Sequence, residues 1–126
     1  MKIKLNMMIA VFLCAAACLA DEGKAWFQKA VRDASFPKGS IIQYVDVSKD
    51  TIFVPNIKMT NSVVLAKEGV VLFVDEQPGL DWAHQFQVVL IPKVSQKPEI
   101  LFRGSAVPSF ELRKPDGTKI TNWNKY

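Results

Sequence analysis

Two β-branched runs, Val70 to Val74 and Val88 to Ile91, constrain this chain more than any other feature. Each is too short for an ordinary helix and dominated by valine, leucine and isoleucine, so each reads as a buried strand. Between them lies DEQPGLDWAHQFQ. There Pro78 presets φ for the second position of a turn, and Gly79 supplies the positive φ that a type II turn requires at its third. The stretch from Gly69 to Val94 is therefore expected to climb one core strand, turn, and return along another. The connecting loop carries Asp75, Glu76, Asp81, Trp82 and His84, the single histidine of the sequence, and these are the candidate binding residues.

The start of the chain has the build of a secretory leader. Lys2 and Lys4 give it a basic beginning, Met7 to Leu13 an apolar centre, and Cys18 and Ala20 small residues at positions minus three and minus one of a cleavage after Ala20. The apolar stretch is too short, and the residues after Ala20 too polar, for a membrane span. Cys18 also offers a lipid anchor of the bacterial lipoprotein kind, although Ala15 stands where a larger aliphatic residue is usual. The predicted organisation is a signal peptide over 1–20 and one β-rich domain over 21–126, in a secreted or periplasmic protein. Both cysteines fall in the leader. The processed domain then has no thiol nucleophile, no thiolate metal cluster and no Cys-His copper site. Loss of Lys2 and Lys4 leaves 14 basic against 12 acidic side chains, a formal +2. The remaining lysines are scattered singly, which is not the concentrated basic face that nucleic acid requires.

After the leader, DEGKAWFQKAVRDAS is the one helical pattern, expected over 21–35. Phe27, Ala30, Val31 and Ala34 recur at the spacing of a single apolar stripe, and Phe36-Pro37 ends it. From Ser40 onward the pattern is that of short strands: 40–47, 51–54, the alternation around Ile57 and Met59, 63–66, the two central runs, 99–102, 110–114 and 118–123. Pro115-Asp116-Gly117 marks the last turn, with Phe110 and Leu112 inward and Glu111 and Arg113 outward. Strands at this spacing imply a mainly β fold, a small antiparallel β-sandwich or barrel with one N-terminal α-helix. The alternative is an α+β layer in which the helix packs on a single curved antiparallel sheet.

The acidic loop is the only concentration of side chains suited to metal or acid/base chemistry. Its spacing matches no calcium loop, and a zinc site lacks the nitrogen and sulfur ligands it needs, so no metal and no cofactor is expected. His84 with Asp81 or Asp75 is a weak candidate for a general base, with Ser62, Ser95, Ser105 or Ser109 as nucleophile, but no serine sits in a Gly-x-Ser-x-Gly elbow. Trp82 either anchors a partner at low entropy cost or closes the end of the core. The functional expectation is an exported non-enzymatic binding or accessory domain acting through the 75–84 loop, its partner another exported protein or a saccharide. The alternatives are a small hydrolase using His84 and a structural envelope protein or lipoprotein.

Overall fold

Strands β4 (Gly69–Asp75) and β5 (Phe86–Pro92) lie at the centre of the protein and pair antiparallel, from Gly69 opposite Pro92 to Asp75 opposite Phe86. The computed structural model describes residues 25–58, 61–80 and 83–126. In chain order the other elements are α1 (Ala25–Ala34), β1 (Ile41–Val47), β2 (Ile52–Val54) and β3 (Val63–Val64), then β6 (Glu99–Gly104), β7 (Glu111–Arg113) and β8 (Asn124–Lys125) after the central pair. They form a five-stranded sheet of order β6-β5-β4-β1-β8 and a three-stranded sheet of order β3-β2-β7. Every pairing is antiparallel, and neither sheet closes on itself. The expected β-rich architecture is thus present as two sheets and a helix.

The large sheet is covered on both faces, which explains why its central strands are apolar at nearly every position. On one face Val70, Leu72, Val74, Val89 and Ile91 pack against Phe27, Ala30 and Val31 of α1. On the other, Val45, Val47, Val71, Phe86, Val88 and Leu90 pack against Phe53, Leu65, Leu112 and Ile120 from the small-sheet side. A strand with one wet face alternates apolar and polar residues, whereas one sandwiched between layers has no position left for a polar side chain. The two predicted architectures are therefore superimposed: the sandwich and the helix-on-sheet layer share the same five strands.

Helix α1 contributes Phe27 as its anchor, 1% exposed and with its ring centroid 4.9 Å from that of Tyr44 on β1. The Phe27, Ala30 and Val31 stripe is buried as its spacing requires. Residues 21–24 of the predicted helix, like the whole leader, lie outside the described residues. The helix ends at Ala34, and Ser35 takes a left-handed φ of 52° before Phe36-Pro37 turns the chain toward β1.

β1 keeps the expected half-buried alternation, with Val45 and Val47 packed between the sheets, Ile42 and Tyr44 partly covered under the helix and Asp46 exposed. Other strand expectations need correction. The alternation around Ile57 is not a strand: Ile57 and Lys58 lie in a turn with Ile57 exposed, and Met59 lies outside the described residues. Only Val63–Val64 of the 63–66 run is paired, both residues exposed on the edge of the small sheet, and Leu65 alone enters the core. The 118–123 return pairs with β7 only through a bridge from Arg113 to Lys119 and the Ile120 N–H donating to Leu112 O at 2.8 Å. The chain then leaves the small sheet, and its last residues join β1 as β8. Leu112 is buried and Phe110 packs on the same core, whereas Glu111 is largely covered beside Arg113, its carboxylate 2.9 Å from that guanidinium.

Candidate functional site

The loop between β4 and β5 is clasped along its stem. The Glu76 N–H donates to Gln85 O at 3.1 Å, and the Gln85 N–H donates to Gln77 Oε1 at 2.8 Å. At the Pro78-Gly79 turn the Leu80 N–H reaches Gln77 O at 3.4 Å and Gly79 has φ of 100°, the arrangement its residue types require. Asp75, the last residue of β4, uses Oδ1 to accept from the Gln77 N–H at 3.1 Å. That same oxygen stands 3.2 Å from Nε2 of His84.

His84 is 9% exposed and turns inward, its ring edge-on to Phe86 with centroids 6.5 Å apart. Phe86 belongs to an aromatic cluster on the inner face of the large sheet, with Phe73 at 5.7 Å and Phe102 at 5.8 Å, and Phe110 reaches from there to Trp123 at 5.8 Å. The imidazole thus lies at the end of this cluster. Of the five predicted loop residues, Asp75 and His84 face each other, Glu76 lines a neighbouring groove, and Asp81 and Trp82 lie outside the described residues. Of the serines considered as nucleophiles, Ser109 is hydrogen-bonded to Asn56 at 3.2 Å. Ser95 accepts from Lys97 N at the far end of β5. Among the described residues no three His, Cys, Asp or Glu side chains gather as a metal site.

The groove beside the loop stem was not read from the sequence. It has a volume of about 480 Å³ and lies between the end of α1 and the helix-side face of β5 and β6. Phe36, Pro37, Val89 and Ile100 give it apolar walls, and Glu76, Gln85, Gln87 and Arg103 its polar groups. Helix α1 packs over the middle strands of the large sheet and leaves this corner uncovered, with Ile100 55% exposed. Gln87 is the exception within an otherwise apolar β5: it is 5% exposed, on the same face as Val89. Among the described residues no hydrogen-bond or ion-pair partner stands at the side-chain head of Glu76, Gln85, Gln87 or Arg103.

A β-bulge brings Arg103 into this company. β6 pairs Phe102 with Val88 and Ile100 with Val89, so Leu101 is the extra residue. On a regular strand positions 100 and 103 would point to opposite faces, since side chains alternate. The extra residue re-aims the chain and sets Ile100 and Arg103 together on the groove side. The one signal in the sequence was a glutamine inside an apolar strand; the bulge left none.

Among the described residues no helix is long and apolar enough to cross a membrane. Comparison with known proteins finds no matching protein family, no matching curated relative and no matching solved structure.

Proposed function

We propose that this chain is an exported, non-enzymatic binding or accessory domain whose working surface is the groove beside the stem of the 75–84 loop. Gln87 is the observation that supports this reading. A valine or leucine at the same place would pack as Val89 does, whereas Gln87 turns an amide without a protein partner among the described residues toward the groove. A ligand in the groove can hydrogen-bond that amide, so the residue makes sense as part of a binding surface. The groove volume also falls in the range of ligand sites, which run from roughly 300 to 1,000 Å³. Glu76 ties the groove to the loop whose sequence also carries Asp81 and Trp82.

The test is affinity capture from the native envelope or culture fluid with the purified protein, repeated with Gln87→Leu and Trp82→Ala. The expected result is a component retained by the parent and lost from Gln87→Leu at an unchanged melting temperature. Equal retention by parent and both variants overturns the reading. Export is checked separately by N-terminal sequencing of the secreted protein, which should begin at Asp21.

The Asp75–His84 contact favours one second reading, a small hydrolase with His84 as general base. A general base has to come within hydrogen-bond reach of a substrate proton, and the inward-turned imidazole suits a role in the loop better. Loss of a measured turnover in His84→Gln with the fold intact would restore the enzymatic reading.

A further inference from the structure

We propose that the groove takes an extended peptide segment of a partner protein, with an acidic side chain of that segment meeting Arg103 and a backbone amide meeting Gln87. This deepens the binding reading above and rests on it. The chemistry of the lining decides the class. A side-chain amide offers one donor face and one acceptor, the complement of a peptide group, and Gln85 presents a second amide two residues away on the loop stem. Arg103 adds a guanidinium with no partner among the described residues, which selects for a carboxylate. Glu76 places a carboxylate on the same groove, so the segment is expected to carry a basic side chain or donor beside its acid.

The apolar walls distinguish a peptide from a sugar. Sugar rings are held against broad aromatic faces, and among the described residues no tryptophan or tyrosine lines this groove; the walls they form are aliphatic side chains, prolines and Phe36. The groove lies over the helix-side face of β5 and β6, so its side chains carry the specificity.

The experiment is selection of ten-residue peptides displayed on phage against the full protein. Enriched peptides are then synthesised and measured by fluorescence anisotropy with the parent, Arg103→Ala, Gln87→Leu and the distant control Lys93→Ala. Enrichment of sequences with an acidic residue among β-branched ones is expected, with binding weakened roughly tenfold or more in Arg103→Ala and in Gln87→Leu and unchanged in Lys93→Ala. Replacing the peptide's acid by its amide should weaken binding to the parent and leave binding to Arg103→Ala unaltered. Enriched peptides that bind both groove variants as well as the parent overturn the proposal. A parallel oligosaccharide array separates the two levels. Glycan binding that Gln87→Leu abolishes, without peptide enrichment, overturns the peptide class and leaves the groove in place. Binding of neither class by the folded protein overturns the peptide proposal, and with unchanged native capture by Gln87→Leu it removes the groove reading too.

Discussion

Asp75 and His84, at opposite ends of the β4–β5 loop, meet with Oδ1 and Nε2 3.2 Å apart. The contact closes the loop across its stem, directly above the pairing of Asp75 with Phe86 that ends the central hairpin. The carboxylate oxygen that accepts from the Gln77 N–H is the one that stands against the imidazole, so the two residues meet where the chain enters and leaves the loop.

His84→Ala should therefore destabilise the protein by about 1–3 kcal/mol, the scale of a buried polar contact left broken. For a domain near 100 residues this shifts the melting temperature by roughly 4–8 °C per kcal/mol. Thermal unfolding followed by circular dichroism measures it. An unchanged melting temperature would show that the contact does not hold the loop.

Gly69→Ala should be more harmful than an ordinary glycine substitution in a strand. A Cβ at this position would overlap the carbonyl oxygen of Ile91 and stand 2.9 Å from Pro92 Cα, and both belong to the backbone of the neighbouring strand. The central hairpin has to separate or twist to admit it. The cost is expected at the upper end of the usual 1–3 kcal/mol for overpacking, read from the urea midpoint.

Phe27→Ala is expected to cost about 3–5 kcal/mol, the range for deleting a buried aromatic side chain. Phe27 is the largest fully buried side chain that α1 sets against its face of the large sheet, and its ring also meets Trp26 and Tyr126 at 6.0 and 6.2 Å. Proteolysis of the variant should begin in the helix, because Ala30 and Val31 are the smaller buried groups left to hold it on the sheet. Cleavage elsewhere first would assign the anchoring to other contacts.

Asp116 sets a small pH dependence in the last hairpin turn. Its carboxylate accepts from the Thr118 N–H at 2.9 Å, and this bond, helped by the Thr118 hydroxyl and the Lys114 charge, holds the group below the usual carboxylate range. A carboxyl with a folded-state pKa below its unfolded value stabilises the fold above the unfolded value, and that contribution fades as pH falls through the lowered one. Asp116→Ala should thus melt slightly below the parent at neutral pH, the gap closing in strong acid. Melting curves over that pH series check the sign.

The helix stripe, the central hairpin with its Pro78-Gly79 turn, and the mainly β class could all be read along the chain, because they follow from local periodicity and backbone chemistry. Val70 to Val74 and Val88 to Ile91 announced burial, and all of these residues are buried except Phe73, which is partly covered. Folding in three dimensions settled which layer covers which face, the exit of 118–123 from its hairpin to the edge of β1, and the exposure of Ile57, Val63 and Val64. Apolar character shows that a residue is suited to a core, not that a partner layer reaches it. The groove belonged wholly to the tertiary level. Gln87 acquires its meaning from the corner that α1 leaves open, and Arg103 reaches that corner through a bulge at Leu101, a change in strand register that no pattern of residue types along β6 records.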